Sequence, residues 1–281
     1  MVGKLDERVA LVTGGARGQG RSHALAMAAE GAAVVVCDLA ADLDVVPYPL
    51  ASRSDLEETV RLIEAQAQRA LGLVADMRDT DQVQGVVERV ISEFGRLDIL
   101  VANQGIVNVT TIEKMTDVEW ETVLDTNLGG IFKVIRAVLP HMKRAGYGRI
   151  VATSSMGARK AHQNMAHYIA SKWGVIGLVK ACSLEVANDG ITVNAICPAA
   201  VGTDLFFNQA MYDLFCPDIE RPTKQDFENR LKVLNYGLNG RPYIDAEHVS
   251  RALMYLVTDD DGVISGQVMD VALGGSATGI H

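Results

Sequence analysis

Seven short apolar runs, each separated from the next by a stretch of helical periodicity, constrain this chain more than any other feature. The runs are Val9–Val12, Ala33–Cys37, Leu71–Ala75, Ile99–Ala102, Arg149–Thr153, Thr192–Ile196 and Val268–Val271. The helical stretches are Gly18–Glu30, Asp55–Arg69, Asp79–Phe94, Asp117–Lys143, Ala166–Ala187 and Ala246–Thr258. Strands that are apolar on both faces need cover above and below, and intervening helices supply it while joining the strands in parallel by right-handed crossovers. The pattern predicts an α/β fold: a doubly wound, seven-stranded parallel sheet with helices on both faces and a ligand crevice at the carboxyl ends of its strands. With 281 residues and neither repeat nor linker, the whole length 1–281 reads as a single domain.

Two stretches break the rhythm. Leu39–Ser54 lengthens the connection after the second run, and Asp204–Tyr243, with prolines at 217, 222 and 242, separates the sixth run from the next helix. Long connections in a compact domain are more often functional than idle. The second is expected to form a substrate lid. Its Leu205, Phe206, Phe207, Met211, Leu214 and Phe215 either line an apolar binding cavity or pack the lid onto the body.

Composition excludes some partners. A formal charge of −9 repels nucleic acid and anionic lipid. The first apolar run is too short to span a membrane and no cleavable leader pattern precedes it, so the chain is expected in the cytoplasm. Cys37, Cys182, Cys197 and Cys216 form no CxxC pair and read as buried, reduced thiols. His141, His162 and His167 lack metal-ligand spacing and read as ordinary polar residues; no metal site is expected.

The loop Thr13-Gly14-Gly15-Ala16-Arg17-Gly18-Gln19-Gly20 joins the first run to the first helix. Glycines let backbone approach a ligand closely, and the helix N-terminus behind them offers free N–H groups and a positive dipole end to a pyrophosphate. Asp38, 18 residues after Gly20, ends the next run where an acidic side chain would bond an adenosine ribose. Its charge repels a 2′-phosphate, whereas Arg17 would attract one. Asp38 sits where the 2′-oxygen lies, so NAD is favoured over NADP.

Tyr168 and Lys172 share one helix face at i and i+4. A phenol with a pKa of ~10 is a poor base near neutrality, and a neighbouring ammonium is expected to lower that value. Such a tyrosine can exchange the proton that accompanies hydride transfer. Ser155, 13 residues earlier at a strand end, offers a hydroxyl to a substrate oxygen. Asn127 lies within a long helix, where asparagine is a mediocre former; it is expected to kink that helix and anchor water near Lys172.

Together these residues resemble the short-chain dehydrogenase/reductase family, a Rossmann-type fold, over nearly the whole chain. The family's TGxxxGxG loop matches Thr13–Gly20, and its catalytic serine, tyrosine, lysine and asparagine match Ser155, Tyr168, Lys172 and Asn127. The resemblance implies an NAD-dependent oxidoreductase interconverting an alcohol and a carbonyl. It assigns cofactor contacts to Gly14, Arg17, Gly18, Gln19, Gly20, Asp38 and its neighbour Leu39, Asp76 and Met77 beside the adenine, Asn103 and Gly105, Tyr168 and Lys172, and Val201 and Thr203 about the carboxamide. Two departures stand out: the family's NNAG reads Ala102-Asn103-Gln104-Gly105, and Ala199 replaces the glycine after Pro198. A narrower likeness lies in Gly20–Ala24, the Leu39–Ser54 insertion and Asp213–Thr223, which look like the carveol dehydrogenase-like, mycofactocin-coupled branch. That likeness implies a secondary, terpenoid-like alcohol as substrate, with the insertion covering an NAD that stays bound and is re-oxidised by an external redox carrier. The family also implies a homotetramer joined through helices 117–143 and 166–187, with Gly174 and Gly177 allowing close approach.

Two other readings use the same fold. A non-catalytic NAD sensor needs no Ser155, Tyr168 and Lys172. A nucleotide-sugar epimerase uses the same Tyr–Lys pair, but with a GxxGxxG loop and a larger C-terminal substrate domain.

Overall fold

The structure, a computed structural model, describes residues 3–234 and 240–274. Seven strands form one parallel sheet: β1 (Val9–Thr13), β2 (Ala33–Asp38), β3 (Ala70–Val74), β4 (Ile99–Ala102), β5 (Gly148–Thr153), β6 (Ile191–Pro198) and β7 (Val268–Val271). Their order is β3-β2-β1-β4-β5-β6-β7. The chain winds outward from β1 in one direction and then from β4 in the other, so the crevice opens between the carboxyl ends of β1 and β4.

The near-continuous apolar character of the strands follows from cover on both faces. In β1, Leu11 points to one core with Val35 and Leu100, whereas Ala10 and Val12 point to the other with Val34, Val36 and Val101. The first core is closed by α3 (Thr80–Phe94), α5 (Gly130–Ala145) and α6 (Ala166–Glu185), through Val87, Val134 and Val179. The second is closed by α1 (Gly18–Ala29), α2 (Arg53–Glu64) and α9 (Ala246–Val257), through Met27, Ile63 and Leu253. All four cysteines are free and buried.

Four details differ from the sequence reading. The expected helix Asp55–Arg69 is α2, two residues earlier at its start and five shorter at its end. Ser52 caps it, its hydroxyl accepting from the Asp55 N–H while the Asp55 carboxylate accepts from the Ser52 N–H. The insertion therefore ends at Ser52, not Ser54. The expected single helix Asp117–Lys143 is three pieces: α4 (Asp117–Leu124), a π turn at Asp125–Gly129, and α5. Finally, the lid contains two helices that the sequence pattern did not declare, α7 (Gln209–Phe215) and α8 (Lys224–Leu234). Residues 235–239 of the 204–243 lid lie outside the described residues.

Candidate active site

The glycine loop takes the shape the spacing requires. Gly14 has φ +61°, and a Cβ there would lie 2.8 Å from the Gln104 Cα. A Cβ on Gly20 would lie 2.0 Å from the Gly14 carbonyl oxygen, so α1 starts against the loop only because residue 20 has no side chain. Asn103 reinforces this turn: its Nδ2 donates to the Gly14 carbonyl at 3.0 Å, and its Oδ1 accepts from the Thr153 hydroxyl at 3.2 Å. Asn103 thus ties the ends of β1, β4 and β5 together.

Gln104, the departure from NNAG, turns inward. Its Oε1 pairs with the Thr13 hydroxyl, which in turn accepts from the Asn103 N–H. Sequence reasoning missed this residue as a structural support. The signal was available, since a glutamine replacing alanine at a strand end must place a long polar side chain somewhere. Ala199, the other departure, is absent from the described residues with positive φ, so glycine is dispensable there.

Two adjoining clefts open at the strand ends. The first, about 440 Å³, has Gly14, Arg17, Gly18, Gln19, Asp38, Leu39, Asp76, Met77, Asn103, Gly105 and Thr203 on its walls. Gly20 is buried behind the loop. The fit to a dinucleotide rests on this chain's own atoms: the Gln19 Oε1 is buried and finds no partner among the described residues, and Gln19 lies on both clefts. Asp38 accepts from the Ala16 N–H at 3.1 Å; burial raises its pKa, and that N–H works the other way. Asp76 holds Arg78 through both oxygens, and although burial opposes its charge, the guanidinium keeps its pKa below the usual value.

Arg17 is already engaged. It pairs with Asp204 at 2.8 Å and donates to the Pro49 carbonyl at 2.5 Å. One arginine therefore links the glycine loop, the insertion and the lid. Leu43, Tyr48 and Leu50 of the insertion also line the first cleft. Tyr48 is 6% exposed, packs in a cluster with Val107, Met165, Met211, Phe227 and Leu231, and accepts the Val107 N–H at 3.1 Å. The sequence reading named the insertion but not Tyr48 as its anchor.

The second cleft, about 420 Å³, holds Ser155, Tyr168 and Lys172 together with Val201 and Thr203. Leu205, Phe206, Met211 and Phe215 of the lid line it. Phe207 instead packs edge-on against Tyr243 at 4.9 Å, and Leu214 joins the packing cluster, so the lid's apolar residues divide between lining and support. His162, expected to be an ordinary polar residue, is on the cavity wall.

Ser155 caps a 3₁₀ turn (Met156–Ala158), accepting the Gly157 N–H at 3.0 Å, and shares the cleft wall with Tyr168. Ser154 donates to the Lys172 carbonyl at 2.8 Å, fastening α6 to the end of β5. Lys172 Nζ donates to the Thr153 carbonyl at 2.9 Å and lies 5.7 Å from the Tyr168 ring centre. The trio is brought together as expected, but its electrostatics are not as expected. Burial pushes Tyr168 up from its ordinary value, against the opposing influence of the Ser155 hydroxyl, and burial lowers Lys172 to about 8. The expected lowering of the phenol by Lys172 is overturned: both groups are desolvated, and the cost of a buried phenolate outweighs an ammonium at that distance.

Asn127 sits in the π turn, fully buried. Its Oδ1 accepts the Ile106 N–H at 2.8 Å, and its Nδ2 donates to the Ile106 carbonyl at 2.9 Å and to Ser171 at 3.2 Å. The expected kink is this π turn, a feature frequent at functional sites. The extra residue turns the amide toward the chain beside Gly105, against which Lys172 also rests. At Gly174 a Cβ would lie 2.6 Å from a Leu128 methyl, so its small size serves packing within the chain; a Cβ at Gly177 would meet nothing within 4 Å.

The family model described as short chain dehydrogenase matches residues 8–211. A (−)-trans-carveol dehydrogenase of Rhodococcus erythropolis is 37% identical over 96% of this chain and 98% of its own length. Among solved structures, a carveol dehydrogenase from Mycobacterium avium in complex with NAD is 36% identical, with a TM-score of 0.94 over 98% of this chain and all of the other. A short chain dehydrogenase from Mycobacterium paratuberculosis bound to NAD is 34% identical, with a TM-score of 0.87 over 98% of this chain and all of the other.

Proposed function

The chain belongs to the short-chain dehydrogenase family and is an NAD-dependent alcohol dehydrogenase similar to carveol dehydrogenase, and from that premise we propose that it interconverts a secondary, terpenoid-like alcohol and its ketone with Tyr168 as acid/base. The observation that carries this is the convergence of Ser155, Tyr168 and Lys172 on the wall of the second cleft, which meets the first at Gln19, Asn103, Gly105 and Thr203, with the buried Lys172 ammonium held by the Thr153 carbonyl.

A bound nicotinamide supplies the hydride acceptor or donor. The chain supplies the rest. Ser155 and Tyr168 hold the substrate oxygen between two hydroxyls. In the direction of reduction Tyr168, protonated at neutral pH because burial raises its pKa, donates its proton to the carbonyl oxygen. In oxidation Tyr168 must first release its own proton to solvent, after which its phenolate oxygen takes the proton of the alcohol. Lys172 keeps positive charge near the phenol while fixed to Thr153. Asn127 is a positioning residue, holding the Ile106 backbone and the hydroxyl of Ser171, the residue before Lys172.

Gly14, Arg17, Gly18, Gln19, Gly20, Asp38, Leu39, Asp76, Met77, Asn103, Gly105, Val201 and Thr203 are proposed to hold the cofactor. Arg17 is committed to Asp204 and Pro49, and the cleft's other arginines, Arg21 and Arg78, to Asp55 and Asp76, which supports NAD. The insertion, anchored by Tyr48, is proposed to cover the cofactor so that it stays bound and an external redox carrier re-oxidises it. Exposed Phe132 and Trp173 on α5 and α6 support a homotetramer. The four buried thiols fit a reducing cytoplasm.

The test is Tyr168→Phe. Turnover falls by about 10²- to 10⁴-fold, while NAD binding, read by calorimetry, is retained. Wild-type turnover in that variant would remove the acid/base assignment.

A further inference from the structure

The lid gives the substrate cavity an apolar wall, but the remainder of its lining is polarised in one sense. Among the described residues lining it there is no aspartate or glutamate, while Lys160, His162 and Lys172 all belong to it. This is a local excess of positive charge in a chain of formal charge −9. Lys172 is engaged by the Thr153 carbonyl. Lys160 is not so engaged: it forms no ion pair among the described residues.

The backbone that presents Lys160 is held in place. Its N–H donates to the Met156 carbonyl at 2.9 Å. Its neighbour Arg159 is fixed to the sheet edge through Asp270 at 3.1 Å and the Val268 carbonyl at 3.3 Å. Two residues on, His162 rests against lid residue Phe215, with ring centres 5.7 Å apart. Partial burial, and then the charge of Lys160, lower the His162 pKa from its ordinary value, and the ring can hydrogen-bond a ligand beside that cation. An exposed cation at the cavity's edge, across from the apolar lid side and without a carboxylate partner, suits an anionic ligand group, because no protein carboxylate competes for it.

We propose that Lys160, flanked by His162, is a specificity-determining residue that binds a carboxylate carried by the substrate away from its reacting carbon. The substrate class becomes an alicyclic or terpenoid hydroxy acid in place of a neutral alcohol. This rests on the dehydrogenase reading of the same cavity.

The test uses full-length, NAD-loaded protein and a matched pair, 4-hydroxycyclohexanecarboxylate and its methyl ester. The expected kcat/KM ratio of acid to ester in the wild type is about tenfold or more, the size of one charge-assisted hydrogen bond. It falls to near one in Lys160→Met, through KM, and is restored in Lys160→Arg. A ratio near one in the wild type, or one that Lys160→Met leaves unchanged, overturns the proposal. A second measurement needs no turnover: calorimetry of cyclohexanecarboxylate against cyclohexanecarboxamide, with the acid expected to bind more tightly in the wild type but not in Lys160→Met. If neither alcohol is oxidised yet the acid shows Lys160-dependent binding, the dehydrogenase reading of this cavity fails and the anion site stands. Equal binding of acid and amide overturns the anion site whatever the turnover.

Discussion

Tyr48→Phe separates two roles of the insertion. The substitution keeps the ring among Val107, Met165, Met211 and Phe227 and deletes only the phenolic oxygen. That oxygen accepts the N–H of Val107, which is 1% exposed, so the change leaves a buried amide without a partner. Such an orphaned donor costs about 1–3 kcal/mol. If the bond serves mainly to seat the insertion over the cofactor cleft, the cost falls on the closed state, and cofactor release accelerates by about 5- to 150-fold. The assay is a stopped-flow chase of bound NADH by excess NAD, read by nicotinamide fluorescence, alongside urea unfolding of the NAD-free protein. The reasoning predicts faster release with a small change in unfolding midpoint. Unchanged release with a full 1–3 kcal/mol loss of stability would show that the bond supports the global fold and not the cover.

Asp38→Ser alone should raise NADP use only weakly, because Arg17 stays with Asp204 and the Pro49 carbonyl; adding Asp204→Asn frees the guanidinium and should raise kcat/KM for NADP by about a further tenfold. Gly20→Ala should weaken NAD binding by more than about tenfold, read by calorimetry with circular dichroism as the folding control, since its Cβ would strike the Gly14 carbonyl. Lys172, lowered by burial to about 8 from 10.5, binds fewer protons folded than unfolded between those values. Its contribution to stability therefore rises with pH across that window. The wild type minus Lys172→Met difference in urea midpoint should increase from pH 8 to pH 10, and a flat difference would show that the lysine is not desolvated in solution.

The sheet was legible because its strands are buried on both faces, and unbroken apolar runs such as Val9–Val12 have few other uses. The site was legible where chemistry fixes residue type and spacing: the glycine loop, Asp38, and Tyr168 with Lys172. What escaped depends on distances the sequence does not carry. Lys172 was expected to ease the Tyr168 proton away, but that inference weighed charge and not burial, and burial dominates for both. Gly174 shows nothing in the sequence of its close packing on Leu128 within the same chain. Arg17 reads as a phosphate ligand until Asp204, far along the chain, is brought to it. Tyr48 shows nothing locally of its bond to Val107, 59 positions away.

The π turn at Asp125–Gly129 means that part of this site is encoded as a length. The turn works as a phase adjuster, letting α4 keep its rotational setting against α6 while α5 keeps a different one against α3. Deleting one of Asp125, Thr126, Leu128 or Gly129 would allow an unbroken α-helix with α4 and α5 close to their present phases, because the wide turn takes up about one residue's rotation, but it would remove the bow that presents Asn127. Asn127 could then no longer clasp Ile106, although no site side chain had been replaced. Among descendants of this chain, single-residue deletions should be purged from these five positions more strictly than conservative substitutions, because a substitution alters one contact and loss of the wide turn withdraws Asn127 from Ile106.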